Sequence, residues 1–247
     1  QIAEIRRSLG LDRPIIEQFV AYMGNLVQGD LGNSWQSHST VAEEILKRLP
    51  ASLELLILAI LVGTTVGIPI GLYAAYNPNR LFDQITRFGS LVGFSIPTYW
   101  FALVASFVFF FVLRWAAAPM GRIGMDVFPP PEITGSYLVD ALVTGRWDAA
   151  LSAAHRLMLP VIVFAIIVSA PIIKQTRAIA LEAMGSDYIR YARACGYGPG
   201  LVRRIAMRAS LVPVVTFIGA EVATMLLAVS LIELIFAWGG LGQWGLN

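Results

Sequence analysis

Apolar and charged positions segregate into long blocks along this chain instead of alternating. Residues 55–76 (22 positions), 88–113 (26) and 157–173 (17) carry no charge, and 211–237 (27) are interrupted only by Glu221 and Glu233. About 20 apolar residues in a helix cross the roughly 30 Å of bilayer hydrocarbon. The pattern therefore predicts an all-α, polytopic transmembrane bundle with four spans, at about 50–76, 88–113, 156–174 and 211–237. Lys174 closes the third block on a stem long enough to snorkel. Pro69, Pro97 and Pro171 lie inside these blocks. Spanning helices tolerate proline where neighbouring groups satisfy the freed carbonyl. Gly63, Gly67 and Gly71 make two small-xxx-small steps on one face and Gly89/Gly93 another, spacings that let helices approach closely.

Composition agrees with the pattern. The chain is 57% hydrophobic and only 14% charged, where a soluble domain carries about a quarter charged residues. A formal net charge of +2 gives no footprint for nucleic acid. Cys195 is the one cysteine, which excludes an intrachain disulfide and a thiolate metal cluster. His38 and His155 lie on either side of two apolar blocks and suggest no metal site.

The placement of the charges orients the spans. Residues 174–208 hold seven basic side chains (Lys174, Arg177, Arg190, Arg193, Arg203, Arg204, Arg208) against Glu182 and Asp187, so this loop is expected to be cytoplasmic. The turn 77–87 then lies on the same side, with Arg80 and Arg87 against Asp83. The loop of about 114–155 is near neutral and expected outside, as is the segment 1–49. An external start with no apolar leader core implies a span preceding Gln1. The phrase Trp238-Gly239-Gly240-Leu241-Gly242 implies chain continuing beyond the end.

The polar loop of about 182–210 is the most informative stretch. Ser186 and Asp187 suit a helix start and Gly196 a left-handed helix stop. Between them Tyr188, Ile189, Ala192 and Cys195 share one face, and the alanines of this helix leave little bulk, as suits a helix lying in another protein's cleft. Gly198-Pro199-Gly200 leads into a second amphipathic stretch, 201–210. On composition alone the loop reads more readily as a basic juxtamembrane segment against anionic lipid.

The phrase "SDYIRYARACGYGPGLVRRIAMRASLVP" resembles the cytoplasmic coupling loop of the dipeptide/oligopeptide permease family, inner-membrane subunits of ABC importers. Five further phrases agree in order: "RRSLGLDRPIIEQFVAYMGNLVQGDLGNS", "RLPASLELLILA", "GIPIGLYAA", "SIPTYWFALV" and "ELIFAWGGLG". The resemblance covers nearly the whole chain outside about 116–150. It implies the type I importer bundle, with four of six spans visible here. It also implies docking on an ATPase through Asp187, Tyr188, Arg190, Ala192, Arg193, Ala194 and Gly196. Ala192 and Gly196 match the second alanine and the glycine of the permeases' EAA signature. Arg190 and Tyr191 stand where its glutamate and first alanine would be, and Pro213 lies farther along than in sugar-type permeases. The implied partners are a second homologous permease subunit, two ATP-binding subunits, an external substrate-binding protein and the bilayer of a bacterial inner membrane. ATP and Mg would sit on the ATPase, since no G-x-x-x-x-G-K-[S/T] occurs in this chain.

Three acids in or near the spans remain. Glu54, one turn after Pro50, reads as a helix-start anion. Glu233 reads as structural or gating. Glu221 either faces the pathway and meets a peptide amine or pairs with a basic residue of another span. Tyr99 and Trp100, after Pro97, either line the pathway or pack. The stiff run Phe128-Pro129-Pro130-Pro131 and Trp147 are candidates for receiving the delivery protein. The competing classes are an ion-gradient-driven secondary transporter, which calls for buried charged pairs and inverted repeats, and a membrane scaffold whose basic loop only anchors lipid.

Overall fold

A computed structural model describes residues 14–34 and 39–246. His38 and the opening of the first family phrase lie outside the described residues. Two compact units divide the chain, Gln1–Leu49 and Pro50–Asn247.

In the first unit, α1 (Ile15–Val27) is followed by an isolated bridge between Asn33 and Thr40. Thr40 opens α2 (Val41–Tyr76) with a reciprocal capping box: its Oγ1 accepts from Glu43 N at 3.2 Å, and Glu43 Oε2 accepts from Thr40 N at 3.3 Å. The helix therefore starts at residue 41 and not at Pro50, which lies inside it together with Pro69.

The second unit holds the remainder of α2, then α3 (Leu81–Ser95), α4 (Thr98–Ser106) continuing into a π-helical turn (Phe107–Val112), α5 (Tyr137–Val143), α6 (Trp147–Gly185), α7 (Asp187–Ala194), α8 (Pro199–Ile235) and α9 (Leu241–Leu246). No strand occurs among the described residues. α2, α6 and α8 are long and apolar enough to cross a membrane. At 39 and 37 residues, α6 and α8 reach about 55–58 Å, well past the hydrocarbon. The apolar blocks 157–173 and 211–237 thus mark only the middles of longer helices. The expected separate stretch 201–210 is the first three turns of α8.

The block 88–113 departs from its predicted form. It is a broken pair, α3 and α4, bent by 99°. Proline disfavours the α conformation in the residue before it. Ile96 accordingly takes φ −78°, ψ 126°, and Pro97 follows at φ −59°, ψ 131°. Two consecutive extended residues turn the chain.

α6 is the central helix. In its most apolar stretch 56% of positions are buried within the chain, against 33% in α2 and 17% in α8. Leu55, Leu56 and Ala59 of α2, Phe164, Val168 and Ile172 of α6, and Val229 and Ile232 of α8 form the main core with Phe236 and Trp238. The glycine stripe of α2 faces α6. A methyl at Gly63 would meet Val168 Cγ1 at 3.0 Å, one at Gly67 would meet Ile172 Cγ2 at 3.1 Å, and one at Gly71 would meet Ile173 O and Thr176 Cβ at 2.8 Å. Gly93 abuts Ala170, whereas Gly89 faces open space.

Candidate functional site

The short helix α7 is set between the two longest helices. Its start is not capped as the sequence suggests: Ser186 Oγ donates back to Ala183 O at 2.6 Å, closing the end of α6. Its end is a full Schellman motif. Gly196 is left-handed (φ 81°), its amide bonds Arg193 O at 3.0 Å, and Tyr197 N bonds Ala192 O at 3.1 Å.

The apolar edge of α7 is buried. Ile189 (0% exposed) packs with Ala183 of α6 and Val202 and Ala206 of α8, and Ala192 (5%) is buried beside it. Ala192 therefore touches its own chain and offers no outward contact. Tyr188, also expected on that face, is half-exposed, and Cys195 is exposed. Asp187, Arg190, Tyr191, Arg193 and Ala194 form the free face. The pair Arg190–Asp187, at 3.1 Å, is almost fully solvated, and such pairs stabilise by about 0.5 kcal/mol or less. α2 is tied to the same end by Tyr76, whose hydroxyl donates to Arg203 O at 3.1 Å.

Sequence reasoning missed the ion pair behind this end. Asp83, fully buried in the first turn of α3, receives Arg177 of α6 bidentately, with Nη2 to Oδ2 at 2.8 Å and Nε to Oδ1. Asn79 N adds a bond to Oδ2 at 3.0 Å. The available signal was an acid in one basic turn facing a surplus cation in the next loop on the same side.

The three pathway candidates fall into two places. Glu221 lines a cavity of about 210 Å³ with Thr98 at the α3–α4 break, Phe164 and Pro171 of α6, and Thr224. Its partner is on its own helix: Thr224 Oγ1 donates to Oε2 at 2.8 Å. No basic side chain among the described residues pairs with it. Tyr99 and Trp100 instead line a separate groove of about 490 Å³ with Leu91 and Ser95, and Ile96 alone borders both spaces.

The other two acids are structural anchors at the far end. Glu54 is mid-helix, not at a helix start. It accepts from Ser136 Oγ at 2.6 Å and pairs with Arg122 at 3.1 Å. Arg122 Nη2 also bonds Gly135 O at 2.7 Å, and its guanidinium lies 4.1 Å from the Tyr137 ring centroid. The 133–135 turn is fixed by buried Asp140, which accepts from Ile133 N, Thr134 N, Thr134 Oγ1 and Gly135 N at 2.7–3.2 Å. Burial pushes the Asp140 carboxyl up, but these four bonds outweigh it and hold the group below the ordinary aspartate value.

Glu233 is fully buried and does not reach interfacial water. Its Oε2 accepts from Gln243 N at 3.0 Å where α9 folds back, and a methyl at Gly240 would strike its carboxylate at 2.3 Å. Trp238 donates to Ala51 O at 3.1 Å. The phrase "ELIFAWGGLG" is thus the lock of a chain reversal. Phe128 and Trp147 are exposed, 83% and 73%. Among the described residues, no group of three or more His, Cys, Asp or Glu could hold a metal ion.

Comparison with known proteins gives this arrangement a setting. Residues 67–247 match the family described as binding-protein-dependent transport system inner membrane component. The di/tripeptide transport system permease protein of Pseudomonas aeruginosa is 39% identical over 243 residues, covering 98% of this chain and 72% of that protein. The dipeptide transport system permease protein of Escherichia coli K12 is 37% identical over 246 residues, with the same coverage. The putrescine export system permease protein of Escherichia coli K12 is 30% identical over 233 residues, covering 93% of this chain and 72% of that protein.

Proposed function

Because the chain belongs to the binding-protein-dependent transport system inner membrane components, we propose that this multi-pass inner-membrane permease subunit imports di- or oligopeptides and is driven through α7. Permease function and inner-membrane location follow from the family. The peptide substrate is supported by the names of the relatives with the higher identities. In this reading a second homologous permease completes the pathway, two ATP-binding subunits carry ATP and Mg, and an external protein delivers the substrate to the near-neutral loop 114–155. The segment 1–49 would lie outside, with 50–247 forming the permease domain.

The observation that carries the coupling role is the division of α7. Its inner edge is fixed to both α6 and α8 through Ile189, with Ala192 buried on the same side, while Asp187, Tyr188, Arg190, Tyr191, Arg193 and Ala194 are exposed. A force on the free face is passed to both long helices at once. That is a rigid-body lever biasing two packings of the bundle. Gly196 sets the angle at which α7 is held, and Ala192 acts from behind the contact surface. Glu221, lining its cavity beside the helix break, is the pathway group that would meet a peptide ammonium. Tyr99 and Trp100 would line a second stretch of the route.

Cys195 supplies the test. It is exposed at the end of α7, so a thiol cross-linker on the assembled transporter should join it to the ATP-binding subunit and abolish stimulated ATP hydrolysis. Tyr191→Asp should lower cross-linking and dipeptide uptake together while membrane insertion persists. Unaltered uptake with Tyr191→Asp, or no ATPase adduct at Cys195, would refute coupling through this helix.

A further inference from the structure

We propose that the groove between α3 and α6 holds the phosphodiester headgroup of an anionic phospholipid. The groove has a volume of about 560 Å³ and lies beside the Asp83–Arg177 pair. Its walls carry three cations, Arg87, Lys174 and Arg177. Asp83 is one carboxylate set against three cations, bonded to Arg177 and within electrostatic reach of Arg87, so the groove stays net positive; Arg177 Nη1 makes no hydrogen bond among the described residues. Arg87 and Lys174 form no direct ion pair among the described residues, and Lys174 Nζ is 5.6 Å from the Phe94 ring centroid. The remaining wall is apolar, from Phe88, Leu91 and Ile173.

A second observation points to an absent polar partner. Ser90 lines the groove and is 94% buried, yet its Oγ has no hydrogen-bond partner among the described residues. The hydroxyl is closed to solvent in this conformation, so it would meet a ligand oxygen by a χ1 turn of Ser90 toward the groove, which would end its unpaired state. A net positive groove with two cations outside any direct ion pair, one unpaired donor and an apolar wall match a phosphodiester attached to acyl chains. A soluble anion would use the cations but leave the apolar wall wet. A basic pocket between spanning helices near the positively charged membrane face is a recurring site for anionic headgroups.

The test reads binding without transport, so it stands or fails apart from the peptide reading. The full-length permease in its assembled complex is stripped in neutral detergent, titrated with phosphatidylglycerol or phosphatidylcholine, and its bound lipid counted by native mass spectrometry. One phosphatidylglycerol per permease should be retained saturably, with phosphatidylcholine washed away. Arg87→Ala and Lys174→Ala should each weaken retention about fivefold, and together about thirtyfold, from one surface cation's contribution each. Ser90→Ala should weaken it as well, whereas an unoccupied hydroxyl would leave binding unchanged. Equal retention by the double variant would overturn the proposal. Displacement of the lipid by millimolar inorganic phosphate would also overturn it, assigning the groove to a free anion. Occlusion of the groove by the second permease subunit, seen as protection of Lys174 from acylation in lipid-free complex, would count against it too.

Discussion

Asp83–Arg177 and Glu54–Arg122 are the two largely buried ion pairs among the described residues, and they fasten different things. The first joins helix to helix: Asp83 is wholly buried, Arg177 is 18% exposed, and the contact is bidentate. The second joins a helix to a loop through a single contact. There Glu54 keeps a second partner in Ser136, while Arg122 Nε is buried without one. Both carboxylates keep one neutral donor, Asn79 N for Asp83 and Ser136 Oγ for Glu54, but Asp83 would lose two charged bonds and Glu54 one, so Asp83 is the more costly to orphan. The α7 end therefore rests on a rigid joint, and the far end on a network whose bonds can be lost singly.

The sharpest way to break that contrast is Arg177→Met, which strands a buried charge. It should cost about 3–5 kcal/mol, read as a lower thermal midpoint of the detergent-solubilised complex, and Asp83→Asn in the same chain should recover most of it. Arg122→Met should cost less, about 1–3 kcal/mol, and show chiefly as proteolysis within 121–135. Equal losses from the two changes would erase the distinction.

At the far end Asp140→Asn should cost about 2 kcal/mol, since it weakens bonds to a charged acceptor. The folded pKa of Asp140 lies below its unfolded value. Its stabilisation is therefore fully present above the ordinary aspartate range, near pH 4, and is lost as pH falls through the lower folded value. Loop release on acidification, followed by limited proteolysis, should lose that pH dependence in Asp140→Asn. Gly71→Ala should destabilise by about 1–3 kcal/mol, because its methyl meets backbone and Thr176 at 2.8 Å. Gly89→Ala, facing open space, should be neutral or slightly stabilising. Smallest in stability is Arg190→Ala, at about 0.5 kcal/mol or less, yet it should lower substrate-stimulated ATP hydrolysis. A stability loss in place of a coupling loss would make α7 a structural brace only.

Hydrophobic blocks revealed the spans because water is excluded from them, but they hid where helices begin and end. Thr40 and Glu43 start α2 nine residues before Pro50 through a capping box that a search for apolar runs passes over. Pro97 was visible, but its effect depends on whether neighbours hold the helix straight, and here they do not. The α7 boundaries were legible from Gly196, since its left-handed stop is a local property of backbone. The burial of Ile189 and Ala192 was not, because it depends on α6 and α8 across the turns, where Ile189 meets Ala183, Val202 and Ala206. Asp83 and Arg177 lie 94 positions apart, and no local pattern pairs them. Glu221 was singled out by burial cost, but its cavity exists only once the α3–α4 bend is formed.

α8 runs unbroken from Pro199 to Ile235, which makes it a beam that the proposed coupling would load at one end. Ala206, where α7 bears on it, and Glu221 are about 22 Å apart along its axis. A tilt of about 10° with Ala206 as pivot would carry the carboxylate about 4 Å, more than the length of a hydrogen bond. Pro213 lies between them and leaves one backbone carbonyl without its helical donor. Under the proposed coupling, the stiffness of this single stretch would determine how much of a stroke at α7 reaches the cavity, and how much is spent in flexing the beam.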